Sequence, residues 1–337
     1  MLKQRLIISI FVGLNLFTIG FSVLNKDDGR ALYKNDAPET KPDVSSFLNE
    51  IKFYTLKNST PTLELKSKEL IKDENTGLLS FFGPDGIVYN SKTPKQNIYF
   101  SGRLGFYYQK EAILKLRNDS KFKIDELNLS CDEAIYHSEK ARATCKHNVK
   151  TVSHSEKTGD TLNINSDWIE AYPEKNLATY KGKVEGELTR KKRYEHPVYF
   201  KSQEAKVNLN DSLITLNDEV WLKRLQVTGT ANKGEIFLEN YNKKLKYFTL
   251  NDDVKLKEIV KPKVGGKQYL RTAVSEKLEG IVSENLLVLT GFPKVYQFKD
   301  IIRGNRIVLR KNTEVVEVED ANTSFFLDEE ETEKEKQ

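Results

Sequence analysis

The sequence predicts an all-β repeat protein that begins with one apolar helix. Three observations predict it. Beyond about residue 60, short runs alternate apolar and polar side chains and end in Asn, Asp, Gly or Lys clusters. Those runs recur at a nearly fixed interval. Residues 6–24 form a stretch without a single charge.

The apolar stretch comes first in the chain. Its 19 residues follow Lys3 and Arg5; at about 1.5 Å per helical residue they reach roughly across the hydrocarbon core of a bilayer. No small-x-small cleavage signal precedes Asn25, and the run is longer than a usual signal-peptide core. An uncleaved anchor is therefore expected, with a cleaved signal as the alternative. Basic residues before the run and Asp27 and Asp28 after it place residues 1–5 in the cytoplasm and everything beyond the anchor outside it. Residues 25–52, with Pro38 and Pro42 and no apolar period, read as a tether.

The β pattern occupies the rest. Runs at 62–65, 98–100, 127–131, 198–200, 219–222, 253–256 and 306–309 are rich in Val, Ile, Thr, Tyr and Phe, and no helical period persists. Val149, Val184, Val220, Val254 and Val295 each follow a polar cluster, at spacings of 35, 36, 34 and 41 residues. Residues 261–267, with Pro262, Gly265 and Gly266, account for the long last step as an added loop. Each valine is expected to open a strand after a polar turn. A similar polar-small-apolar stretch precedes each one, as at 132–136, 166–169, 202–205, 232–236 and 275–278. A period of this length built from strands implies stacked supersecondary units that bury their apolar faces against neighbours. A plain sandwich with coincidental spacing, or a propeller, is the alternative.

Alternation also assigns faces. Val198 and Phe200 point one way and Tyr199 and Lys201 the other. Val220, Leu222, Val254 and Leu256 are expected inside, with Trp221, Lys223, Lys255 and Lys257 outside. Such an inner face suits either an ordinary packed core or a lining for an apolar ligand.

Composition limits the partners. The formal charge is +5, but residues 328–337 hold six acidic and two basic side chains, leaving 52 basic against 43 acidic elsewhere. The acidic end reads as a disordered tail. The basic remainder favours anionic partners. Arg190, Lys191, Lys192 and Arg193 form the densest cationic cluster, which suits either lipid phosphate contacts or a solvated loop between strands. Export makes nucleic acid a poor fit.

Cys131 and Cys145 lie about equally far from a turn at 137–140, which would set them opposite one another in a hairpin. In an exported protein an even pair suggests a disulfide, and two buried small side chains are the alternative. A zinc site lacks a fourth ligand, because His137 falls too far along the strand from Cys131. No cofactor is implied. No nucleophile elbow, phosphate-binding loop or zinc-protease helix is present, and His137, His147, His154 and His196 show no catalytic spacing, so the chain reads as non-enzymatic. A carbohydrate-active enzyme would need two carboxylates in a groove, and only Trp168 and Trp221 offer a sugar platform.

The phrases Leu-Asn-Asp-Glu-Val-Trp-Leu at 216–222 and Tyr-Lys-Gly-Lys-Val-Glu-Gly at 180–186 resemble the lipopolysaccharide-export bridge family, the LptA and OstA-N group. The anchored beginning, with Thr-Leu-Glu-Leu-Lys-Ser at 62–67 and Asp-Glu-Asn-Thr at 73–76, resembles the membrane-anchored partner of that family, LptC. The resemblance implies an LptC-like module over 53–125 joined to LptA-like repeats over 126–327. It implies an elongated, open, twisted β-jellyroll whose apolar groove carries lipopolysaccharide from an inner-membrane ABC transporter toward the outer membrane. Val184, Val198, Phe200, Val220, Leu222, Val254, Leu256 and Val295 are then the expected lipid-facing residues. The edges near 53–65 and 313–318 would meet the transporter and the next bridge or outer-membrane receiver. A structural or adhesive β-scaffold with a dry core is the competing reading.

Overall fold

The computed structural model describes residues 44–57, 59–89, 97–156, 159–191, 196–237, 246–261, 267–281, 286–310 and 315–324. The expected anchor at 6–24, its flanks and the acidic tail at 328–337 lie outside these residues. Among the described residues no helix is long and apolar enough to cross a membrane. The chain divides into two compact units. The smaller comprises Met1–Ser45 and Asp73–Thr76, where the Asp73 carboxylate accepts the Asn75 and Thr76 backbone N–H groups in a local turn. The larger, Ser46–Lys72 with Gly77–Gln337, holds the core and the candidate site.

Among the described residues the secondary structure is antiparallel β, apart from one 3₁₀ turn. Strands β1 (Val44–Lys57) and β2 (Thr60–Asp73) come first, followed by four short ones: β3 (Leu78–Phe82), β4 (Asp85–Val88), β5 (Ile98–Ser101) and β6 (Leu104–Tyr108). Long strands then run as a meander: β7 (Ile113–Ile124), β8 (Leu127–His137), β9 (Arg142–His154), β10 (Thr161–Tyr172), β11 (Leu177–Thr189), β12 (Val198–Asn208), β13 (Leu213–Arg224), β14 (Val227–Phe237), β15 (Lys246–Val260) and β16 (Tyr269–Ile281). The 3₁₀ turn Pro173–Lys175 joins β10 to β11. Short strands close the series: β17 (Leu286–Thr290), β18 (Lys294–Gln297), β19 (Asp300–Arg303), β20 (Arg306–Arg310), β21 (Val316–Glu319) and β22 (Asn322–Ser324). All pair into one long antiparallel sheet, consistent with a jellyroll. The short strands are long ones broken in two: β3 and β4 both lie along β2, and β17 and β18 both lie along β16.

Every long strand from β7 to β15 is bent near its middle, and the cause is in the sequence. On alternate strands two successive residues take left-handed backbone angles: Asn118-Asp119, His147-Asn148, Gly182-Lys183, Asp218-Glu219 and Asp252-Asp253. Asn, Asp and Gly tolerate that region best, because a larger Cβ meets the neighbouring carbonyl. Two such residues interrupt the extended ladder and turn the strand, as a bulge does. The register shifts at each position, for example between Asn217 and Val220 on β13. The intervening strands bend at a small side chain instead. Ser166, Ser202 and Ser275 each donate a hydroxyl to the carbonyl two residues on, at 2.9–3.0 Å.

The two devices meet in one crease. Val149 faces Ser166, Val184 faces Ser202, Val220 faces Ala231 and Val254 faces Ser275 across adjacent strands. One unit earlier, Ser120 faces Cys131, whose thiol points at the Glu133 carbonyl 3.3 Å away. Four of the five repeating valines therefore do not open strands. Val149, Val184, Val220 and Val254 are the first residues past a corner inside a continuous strand, and what looked like a polar turn is that corner. Val295 lies on β18, just past the Gly291-Phe292 break.

Other boundaries also move. Residues 44–52, expected as tether, belong to β1. The expected module junction at 125–126 is a hairpin turn between β7 and β8, and the sheet continues through it. The N-terminal edge is β1, with Phe47, Leu48, Tyr54 and Leu56 exposed, whereas the stretch 60–65 belongs to β2, which pairs on both sides. At the other end the edges are β21 and β22, so part of the expected 313–318 edge is strand and residues 313–314 lie outside the described residues.

Candidate functional site

Folding each strand at the crease turns one face of the sheet inward from both arms. Before the corner of β13, Ile214 and Leu216 point in; after it, Val220 and Leu222 do. On β15 the same holds for Phe248 and Leu250, then Val254 and Leu256. These side chains join residues from β2 to β20 in one continuous apolar cluster. Burying a Val, Leu or Phe side chain contributes about 1.5–3 kcal/mol, so the interior is also what holds the arms together.

All eight expected lipid-facing residues share this interior. Val184, Val198, Phe200, Val220, Leu222, Val254, Leu256 and Val295 are each at most 1% exposed. In this conformation they touch protein, and the interior around them is packed. The outward assignments also match: Lys201, Lys223, Lys255 and Lys257 are exposed, and Trp221 is half-buried. Lys201 of β12 lies 6.0 Å from the Trp221 ring of β13, and across the β10–β11 pair Lys181 lies 5.6 Å from the Trp168 ring. Both tryptophans thus carry a cation over the ring on the outer face.

Where packing is incomplete the interior opens. A cavity of about 210 Å³ lies among Ile98, Phe122, Leu129, Ile169, Ala178 and Tyr180. It is bounded by the β7–β8 turn at one rim of the folded sheet and the 3₁₀ turn at the other. Tyr180 and Tyr136 line it, and burial pushes both hydroxyls up to about 12, with the Glu174 charge adding to the effect at Tyr136.

No protein-family profile matches this chain, and no curated protein matches it. Among solved structures, it is similar to the crystal structure of LptH, the LptA-homologous periplasmic component of the lipopolysaccharide transport device of Pseudomonas aeruginosa. The two are 14% identical over 39% of this chain and 96% of that one, with a TM-score of 0.34.

Several expected site residues stand differently from their sequence placement. The β8–β9 turn spans residues 138–141 and pairs His137 with Arg142, so Ala134, not Cys131, lies opposite Cys145. Cys131 sits in the crease, in the seat that serines fill elsewhere. Both cysteines are buried free thiols. They are neighbours nonetheless: hydrogen bonding to Cys131, together with burial, pushes the Cys145 thiol well up from its ordinary value. Of the basic cluster, Arg190 is half-buried and engaged, with Nη1 2.7 Å from the Asp160 carboxylate and Nη2 donating to the Phe237 carbonyl at 3.0 Å. Lys191 is exposed, and Lys192 and Arg193 lie outside the described residues. Among the described residues no three His, Cys, Asp or Glu side chains gather as a metal site would require.

One feature of the lining was missed. Glu258 and Arg271 face each other across β15 and β16 and are 1% and 0% exposed. Arg271 gives Nε and Nη2 to the same Glu258 oxygen, at 3.1 and 2.8 Å, and Nη1 reaches Gln297 at 3.5 Å. The other carboxylate oxygen of Glu258 is buried without a hydrogen-bond partner. The signal was present, because Glu258 continues the inward phase of Val254 and Leu256.

Proposed function

We propose that this chain is a non-enzymatic periplasmic bridge, anchored in the inner membrane, that carries lipopolysaccharide along the inner face of its folded sheet. The observation that supports this best is the continuity of the apolar interior from β2 to β20 beneath a lysine-rich exterior. A lipid crossing water exposes its chains at about 0.8 kcal/mol per methylene, and a continuous lining removes that cost at every step. Strand edges at both ends, β1 and β21 with β22, offer unpaired backbone groups for an inner-membrane ABC transporter complex and for a further bridge or outer-membrane receiver. Because the lining is packed here, loading requires the two arms to part around the crease. In an oxidising periplasm the neighbouring Cys131 and Cys145 are then expected to be linked, which non-reducing peptide mapping reads.

A structural scaffold with a dry core is the second reading, and the near-zero exposure of the lining favours it. Photo-crosslinking separates the two. A photoreactive residue at Phe200 or Leu222 should capture lipopolysaccharide in cells, and one at Lys201 or Lys223 should not. Capture from neither inner position means a dry core, and equal capture from both faces means surface adhesion.

A further inference from the structure

The cavity between the rims has a neighbour of opposite character. A second cavity of about 520 Å³ is lined by Thr55 and Thr62 of β1 and β2, by Tyr89 and Tyr107, and by the turns at 138–141 and 173–174. Ile98, Tyr136 and Pro173 line both cavities, so the two share a wall. The inner chamber is walled chiefly by aliphatic and aromatic carbon. The outer vestibule is lined by the hydroxyls of Thr55, Thr62, Tyr89, Tyr107 and Ser138. Thr55 and Thr62 bond each other, Tyr89 donates to Glu64 and Ser138 donates to the Ala112 carbonyl, so these oxygens meet a ligand as acceptors for its hydroxyls. The vestibule charges are Lys140 against Glu139 and Glu174. At about 210 Å³ the chamber exceeds the ~150 Å³ apolar cavity that stays dry and takes benzene, so a stretch of alkyl chain fits inside it. The vestibule offers many hydrogen-bonding groups but carries more carboxylates than ammonium groups. That suits a hydroxylated, uncharged head and opposes an anionic one. Tyr136 stands at the shared wall.

We infer that chamber and vestibule together form a binding site for one uncharged glycolipid-type amphiphile, with alkyl chain in the chamber and sugar hydroxyls at the vestibule tyrosines and threonines. For its role the inference rests on the carrier reading: the site would be a side port at which an amphiphile joins the apolar interior. The geometry itself is independent of that reading.

The test uses the purified full chain and an alkyl maltoside, below its micelle concentration, with a diazirine at the tail end. Label is expected on 122–129 and 162–180, with competition by unlabelled alkyl maltoside and none by maltose. An alkyl sulfate of the same tail length should compete about tenfold less well or worse, equivalent to about 1.4 kcal/mol. Ala178→Trp, which fills the chamber, should abolish the label while far-UV circular dichroism is unchanged. If that variant unfolds, the competition series on the wild-type chain decides. Label scattered over the outer face, equal competition by alkyl sulfate, or labelling that survives in folded Ala178→Trp overturns the site. Label at Phe200 and Leu222 with none at the chamber overturns the port and leaves the carrier standing. Label in neither place counts against both.

Discussion

Phe200 lies directly across the strand pair from Gly186, and its ring occupies the space that a side chain at 186 would take. The same pairing recurs in Gly86 with Phe100 and Gly280 with Phe248. Glycine in a strand weakens it, and here each one leaves the room that the end of an aromatic ring fills. Gly186→Ala is expected to destabilise the protein by about 1–3 kcal/mol through overpacking. Phe200→Leu should relieve part of that cost, so the double variant is more stable than the sum of the singles implies. Urea unfolding of the four proteins checks it, and strict additivity counts against the contact.

The corners give a second expectation. Asp218 is exposed, with φ of 60°. A β-branched side chain there costs roughly 1–2 kcal/mol in backbone strain, while glycine removes the strain. Asp218→Val should lower the melting temperature and Asp218→Gly should hold or raise it. Equal behaviour of the two would mean that the left-handed corner is not what bends β13.

The buried pair gives a third. Removing one partner of a buried ion pair typically costs about 3–5 kcal/mol, because the other charge stays in the interior alone. Glu258→Leu and Arg271→Met are each expected to lose stability on that scale, and the double variant should recover most of it. Additive losses in thermal unfolding would assign the stability to packing instead.

His137 gives an expectation for pH. Burial, and then the Arg142 and Lys140 charges, lower its pKa from the ordinary 6.5. The folded state therefore binds a proton less readily than the unfolded chain, so stability is full above about pH 6.5 and falls as pH drops toward the lowered folded value. His137→Gln should flatten the stability profile over that acidic range and leave it unchanged at pH 8. An equal profile in both proteins would show that other groups govern the acid side.

The sequence by itself determined the strand character, the repeat interval and the inward and outward phases, because each is a local property of alternating side chains. Val220, Leu222, Val254 and Leu256 face inward as their phase requires, opposite Lys223, Lys255 and Lys257. Only the tertiary structure decided where the chain turns. Asp218-Glu219 and Asp252-Asp253 have the composition of hairpin turns, and nothing local distinguishes a turn that reverses a strand from a corner that bends it. The continuing ladder does: β12 and β14 pair with β13 on both sides of its corner. That choice joined Ile214 and Leu216 to Val220 and Leu222 as one strand, moved Cys131 from opposite Cys145 into the crease, and doubled the inner face. It also brought Ile98, Tyr136 and Pro173 together from three distant strands and turns, a juxtaposition that only closure of the two arms creates.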